Sequence, residues 1–291
     1  MKRFNWEEMR RYWESHASRR ATLDLGRDPA RLGNVLHPGA PLWLNEYYAR
    51  HQKRAYENLF ALLPPAPLGS RALDIGCGAA RWCKFLSERG YKVTGIDLQA
   101  ELVALNRAMH PEIEFECVSV QEFGPEEPFD LISSVTVLQH NPFPAQDVMI
   151  HKLRAMTRPG GYVLALENVR DQAPHVFANS VRGWQARFRN AGFESVAIQR
   201  YDYNFLNRLY VALRRRATSA RKPSKAIAAS APEEYMTRTP GARKTALLRH
   251  LDAGARRVTV AVDGVPEPLL IRSNLPLPTL HCGFLFKAVD L

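Results

Sequence analysis

The run Leu73-Asp74-Ile75-Gly76-Cys77-Gly78, with Asp97 placed 21 residues after its first glycine, constrains this 291-residue chain more than any other feature. Apolar positions lead into it from Ala72, and Ala79 to Arg89 reads as a helix leaving it. That is a strand, a glycine turn and a helix. Glycines at such a turn let the backbone approach a ligand closely where a side chain would block it. Asp97 closes a second strand that begins at Tyr91. An acidic residue about 20 positions beyond the turn is placed to bind a ribose diol.

The details separate two nucleotide-type cofactors. A dinucleotide fingerprint requires a third glycine for close helix–strand packing, and that position here is Arg81. Asp74 stands just before the turn, where its carboxylate repels a pyrophosphate but attracts a cofactor carrying an ammonium and a sulfonium. The residues favour S-adenosylmethionine over NAD.

Further motifs follow in order. Asp74 to Ala80 matches D-x-G-x-G-x-G with alanine at the last glycine. Phe129 to Val135 reads as a fourth strand and leads to Val137-Leu138-Gln139-His140. Met156-Thr157-Arg158-Pro159-Gly160-Gly161-Tyr162 forms a turn into a fifth. In these motifs, over roughly Leu59 to Asp202 plus a final strand, the chain resembles the class I S-adenosylmethionine-dependent methyltransferases. The resemblance implies cofactor contacts from Asp74, Gly76, Cys77, Gly78, Asp97, Leu98, Ser119, Val120 and Val135. Ser119 stands where the family often has an acidic residue near the adenine. Ala80 is expected to begin the helix, which makes the missing glycine a mild change.

Strands are expected at 71–75, 92–97, 113–118, 129–135 and 162–167, and helices at 80–89, 99–109, 144–157 and 179–191. Such alternation argues an α/β, Rossmann-like, mostly parallel doubly wound sheet. A sixth strand begins at Gly192, and the resemblance implies a seventh, antiparallel one, placed at His281–Val289. Four regions are expected: a helical N-terminal cap at 1–65, a cofactor-binding core at 66–203, a basic insertion at 204–279, and the last core strand at 280–291. Within the cap, a first amphipathic helix carries Phe4, Trp6 and Trp13, and a second begins at Trp43 and stops at the Pro64-Pro65 pair. Within the insertion, Ala242 to Leu251 reads as a helix and Arg257 to Val262 as a short strand.

The net charge of +11 is unevenly spread. Residues 182–257 hold 17 Lys/Arg against 5 Asp/Glu, whereas residues 61–181 hold 10 against 14. A basic segment beside a neutral core suggests an anionic acceptor, a nucleic acid or a membrane surface, although charge runs are usually only solvated faces. Arg208 to Arg216 combines apolar and cationic residues and suits either peripheral membrane contact or an anion clamp. Four cysteines without a C-x-x-C pair, and a start lacking an apolar segment, favour a reducing cytoplasm. No His/Cys/Asp cluster has metal spacing, so no metal is expected.

Methyl transfer from a sulfonium is an in-line displacement in which orientation supplies much of the acceleration. A base is needed when the nucleophile carries a proton of high pKa. His140, past the fourth strand, and Glu167, ending an apolar strand, are the candidate catalytic groups. An imidazole titrates near neutrality, and a desolvated carboxylate is raised toward it. Packing or structural hydrogen bonds are the plain alternatives for both. Acceptor contacts are expected from Trp43, Tyr47, Tyr48, Arg50, His175 and Tyr203; an aromatic seam joining cap to sheet is the competing account. Tyr47, Arg50 and Arg54 are spaced to share a helix face.

The reading is therefore a methyltransferase acting on a small or medium-sized acceptor, with an anionic one as the refinement that the Arg-rich cap and insertion suggest. Two alternatives stand beside it: an RNA methyltransferase that holds phosphates with the basic insertion, and a non-catalytic cofactor-binding scaffold. Against the first, the N-P-P-Y type of signature is absent where Val135-Thr136-Val137-Leu138 stands. Against the second, Asp74, Gly76, Gly78 and Asp97 are all retained. Acceptor atom and oligomeric state are not legible.

Overall fold

A computed structural model describes residues 42–170, 176–203 and 264–289, together with positions 209, 254, 257–259, 261 and 262. The first cap helix, His175, the Arg208–Arg216 stretch apart from 209, and the 242–251 helix lie outside these residues.

Seven strands form one sheet in the order β3-β2-β1-β4-β5-β7-β6. They are β1 (Arg71–Ile75), β2 (Lys92–Asp97), β3 (Glu114–Cys117), β4 (Phe129–Val135), β5 (Thr157–Asn168), β6 (Phe193–Tyr201) and β7 (His281–Ala288). The first five run parallel, and β7 inserts antiparallel between β5 and β6. The helices are α1 (Leu42–Phe60), α2 (Arg81–Ser87), α3 (Ala100–Met109), α4 (Phe143–Met156), α5 (Val181–Asn190) and α6 (Glu267–Ser273). A single 3₁₀ turn, Leu138–His140, follows β4. Parallel strands joined by helices put every carboxyl end on one edge, and the reversal of order at β1/β4 opens the crevice there.

The strand interiors are apolar because both faces are covered. On one face Tyr56 and Leu59 of α1 and Trp82 and Phe85 of α2 pack with Leu164, Leu166 and Leu285. On the other, Met149 and Leu153 of α4 and Trp184 and Phe188 of α5 pack with Ile132, Val163, Phe284 and Phe286. Gly283 fixes how α1 seats on β7. A Cβ there would lie 2.6 Å from Leu59 Cδ1, so the helix reaches the strand only because no side chain stands between them.

Three expectations are corrected. Ala80 does not begin a helix: it is the N-cap of α2 in a left-handed conformation, φ 57° and ψ 20°. The third turn residue therefore has the conformation that suits the glycine it replaces. Among positions 257–262, those described are helical rather than extended; β-branched content is a weak prior that tertiary context overrides. Helix α6 was not expected. Its short segment, Glu267–Ser273, buries only Glu267 and Ile271, too few for a readable helical period.

Candidate active site

The turn after β1 has three left-handed residues at alternate positions, with φ of 59° at Gly76, 51° at Gly78 and 57° at Ala80. At Gly76 a Cβ would lie 2.5 Å from Val137 Cγ2, so the position excludes any side chain. Bare backbone is thereby presented at the crevice. Cys77 contributes its amide, which donates to the Ile96 carbonyl at 3.0 Å, while its thiol is buried.

Asp97 ties the turn to β2. Its Oδ2 accepts from the Gly78 amide at 2.8 Å and its Oδ1 from the Gln99 amide at 2.9 Å. Burial raises its pKa, and the amides of Gln99, Gly78 and Leu98 oppose the rise. Each oxygen keeps acceptor capacity for a diol. Asp74 lies inside β1, 1% exposed, and accepts from the Cys83 thiol at 3.4 Å. Burial pushes it up to about 7, against the lowering effects of Ser133, Cys83 and the Arg81 charge. Arg81 reaches the other way, donating to Gln52 Oε1 of α1 at 2.7 Å.

Beyond β3, Ser119 donates to Glu122 Oε2 at 2.6 Å, and its Oγ accepts from the Glu122 amide. An acidic group thus arrives at this corner from three residues on, a contribution the sequence reading missed. A serine followed by an acid at i+3 was the available signal. Leu98 and Ser119 are half-buried here, and Val120 and Val135 are buried.

The acceptor side is built around the 3₁₀ turn. Glu167 is fully buried beneath it. Its Oε1 accepts from Leu138 N at 3.1 Å, Val137 N at 3.3 Å and Ser134 Oγ at 3.2 Å, and its Oε2 from Gln139 N at 3.1 Å. Burial pushes Glu167 up to about 8 against those same donors. The structure gives this carboxyl the work of anchoring the turn. His140, on the turn, is half-buried; its Nε2 sits 3.3 Å from the Gln139 side-chain amide, whose Oε1 accepts from Asn168 N at 2.6 Å.

The remaining expected acceptor residues separate. Tyr47 is buried with its ring edge-on to His51, centroids 4.2 Å apart, and to Tyr48 at 5.5 Å. Trp43 packs on the same cluster, with the Arg257 guanidinium 5.8 Å from its ring centroid. Arg50 and Arg54 are exposed while Tyr47 is not, so these three do not share one environment. Tyr203 is fully buried under α6: its amide donates to Glu267 at 2.9 Å and its hydroxyl to the Leu275 carbonyl at 3.0 Å. Among the described residues, no group of His, Cys, Asp and Glu could hold a metal ion.

The donors and acceptors fit S-adenosylmethionine. A side-chain-free turn, a diol acceptor at Asp97 and a buried acid at Asp74 meet its backbone, ribose and cationic ends respectively. A family model described as a methyltransferase domain matches residues 48–209, more than half of the chain. The chain belongs to the class I S-adenosylmethionine-dependent methyltransferases.

This methyltransferase is 32% identical over 116 residues to a ubiquinone biosynthesis O-methyltransferase of Alkalilimnicola ehrlichii (strain ATCC BAA-1101 / DSM 17681 / MLHE-1). That match takes in 38% of the chain and 46% of the relative, so the chain spans about half the length of this relative. A protein of the same name from Azoarcus sp. (strain BH72) is 27% identical over 173 residues, covering 50% of the chain and 73% of the relative. Among solved structures, a magnesium protoporphyrin IX methyltransferase from Synechocystis PCC 6803 with bound S-adenosylhomocysteine superposes with a TM-score of 0.53 at 15% identity. It covers 67% of this chain and 91% of that one, and shows the shared fold.

Proposed function

We propose that this chain transfers a methyl group from S-adenosylmethionine to a hydroxyl of a small, anionic molecule. The observation that carries the reading is the polar row of Asn168, His281 and Tyr201, where β5 and β6 end and β7 begins, on the same sheet edge as the cofactor turn. The relatives named for O-methyl transfer support an oxygen acceptor. Bound S-adenosylmethionine supplies a methyl carbon on a positively charged sulfur that leaves as a neutral thioether.

The chain's own residues bind and orient. Asp97 accepts from the ribose hydroxyls, Asp74 and the Gly76–Gly78 backbone hold the amino-acid end, and Leu98, Ser119 and Val120 border the base. Glu167 fixes the 3₁₀ turn so that Val137 and His140 stand beside the reacting atoms. Trp43, Tyr47 and Tyr48 wall the acceptor on the α1 side. The anionic acceptor rests on Arg50, exposed on α1, and on a cavity of about 240 Å³ bordered by Arg170 and Arg200. We place the enzyme in the cytoplasm on its four free cysteines. No helix among the described residues is long and apolar enough to cross a membrane.

Incubation with radiolabelled S-adenosylmethionine and a panel of phenols, amines and carboxylates, with and without an anionic substituent, tests the reading. Label is expected on the oxygen of an anionic phenol. Label on amines alone would overturn the choice of oxygen, and transfer to RNA alone would overturn the small acceptor.

A further inference from the structure

At the carboxyl edge, three cross-strand neighbours form a polar row. Asn168 of β5 pairs with His281 of β7, which pairs with Tyr201 of β6. The Tyr201 and His281 rings stack with centroids 5.4 Å apart and 19° between planes. Asp202 follows at φ 60°, in the left-handed region that Asp and Asn enter more readily than other side chains. This conformation accompanies a contact of 2.7 Å between its Oδ2 and His281 Nδ1. The Asp202 side chain is 2% exposed and that of His281 13%.

The surroundings are incompletely paired. Asp202 Oδ1, Asn168 Oδ1 and His51 Nδ1 are buried with no hydrogen-bond partner among the described residues. A buried polar atom left unpaired is costly, so three near this edge suit a site completed by a ligand. With Nδ1–H donating to the carboxylate, the lone pair of His281 lies on Nε2. His140 is less well placed to take a proton. The Gln139 amide is oriented by its bond to Asn168 N, so its NH₂ group faces His140 Nε2 and occupies that lone pair.

We propose that His281 is the proton acceptor for the hydroxyl that takes the methyl group, with Asp202 as its positioning residue. The proposal rests on the O-methyl reading above. In the step the acceptor O–H bond breaks, the proton moves to His281 Nε2, and the electron pair stays on the oxygen that becomes methylated. The imidazolium formed faces the Asp202 carboxylate, and it returns its proton to solvent after product release.

Other titratable groups face the pair. Asp202 and Tyr201 come from the end of β6. Glu167 of β5 acts on Tyr201, and burial holds that phenol well above its usual range, so it stays neutral. From α1, His51 faces Asp202; burial pushes it down to about 4, with Arg50 and Arg54 adding to the fall and Asp202 opposing it. His51 is thus neutral near pH 7, and His281 is the imidazole that draws on the Asp202 charge.

Two measurements test the pair, using 3,4-dihydroxybenzoate as the anionic diphenol probe. In ¹⁵N-histidine NMR of the S-adenosylhomocysteine complex, His281 is expected as the Nδ1–H tautomer. In Asp202→Ala that preference should be lost, because Nδ1–H then has no carboxylate to face. With the probe and labelled S-adenosylmethionine, His281→Gln should lower kcat by about 10²–10⁴ and abolish the acidic limb of the pH profile while KM moves little. An Nε2–H tautomer, or an Nδ1–H tautomer that Asp202→Ala leaves in place, overturns the pair without reference to turnover. Normal transfer with the acidic limb intact in His281→Gln overturns the proposal alone. A wild-type protein that methylates amines but no hydroxyl overturns the O-methyl reading and this proposal with it.

Discussion

The Gly78 amide donates to Asp97 Oδ2 at 2.8 Å, joining the turn after β1 to the end of β2. A single carboxylate therefore shapes the backbone that faces the cofactor and also presents oxygens to it. Removing it disturbs two things at once.

Asp97→Ala should weaken S-adenosylhomocysteine binding by about 1.5–3 kcal/mol, the usual worth of a hydrogen bond to a charged group. That is roughly a 10- to 150-fold rise in Kd. Calorimetry giving an unchanged Kd would remove Asp97 from the cofactor site.

Ala80→Gly should stabilise the fold. The left-handed conformation costs an L-residue roughly 1–2 kcal/mol, and glycine returns part of this through its own conformational entropy. A net gain of about 0.5–1 kcal/mol in urea unfolding is expected. Destabilisation would mean that the Ala80 methyl, buried against α2, contributes more by packing than its backbone loses.

Gly76→Ala should do the reverse at the neighbouring position. The new methyl would meet Val137 Cγ2 at 2.5 Å in a backbone conformation at φ 59°. Cofactor affinity should fall at least tenfold, and the double variant with Val137→Ala should recover only part of it because the strained φ remains. Full recovery would locate the whole defect in the clash.

Glu167→Gln should change stability near pH 7 by less than about 1 kcal/mol and leave turnover nearly intact, since a carboxyl raised to about 8 is protonated there and the amide NH₂ takes the place of its O–H. A variant of normal stability and greatly reduced kcat would instead mark Glu167 as a group acting on substrate.

Stability should also fall in acid through His51. Its folded pKa, about 4, lies below the ordinary 6.5, so the unfolded chain binds a proton first as pH drops. The stabilisation is complete above pH 6.5 and disappears as pH falls through about 4, a change of ~3 kcal/mol. Glu167 has the opposite sign: raised from 4.5 to about 8, its share is complete below pH 4.5 and is lost as pH rises through 8. His51→Leu should flatten the acid side of the stability curve and Glu167→Gln the alkaline side. An acid limb that survives His51→Leu would assign it to other groups.

The parallel part of the fold was legible because each strand carries its own apolar run and its own turn signal. Asp74, Gly76, Gly78 and Asp97 lie on adjacent elements, where local spacing suffices. The acceptor side was less so. Glu167 was readable as a buried acid, but its partners come from 28 to 33 positions earlier and became visible only once β4 and β5 were in register. The pairing of Asp202 with His281 was hidden for the same reason. Neither residue has a motif, and only the antiparallel placement of β7 beside β6 brings them together. Tyr203 resembled a wall residue in sequence, and the unforeseen α6 accounts for its burial.

Asp202 and His281 are 79 positions apart, yet the chain leaves β6 and enters β7 at the same point, where the Leu280 amide donates to the Asp202 carbonyl at 3.3 Å. The sheet therefore closes here whatever the number of residues between Tyr203 and α6. Because loop-closure entropy grows only slowly with length, a segment hung from such a clasp can be lengthened, shortened or exchanged at little thermodynamic expense. What it cannot do is change without being tethered at the pair proposed to serve the acceptor. Variation in this segment is thus free to retune which molecules are admitted, while the strands that position the methyl donor stay as they are.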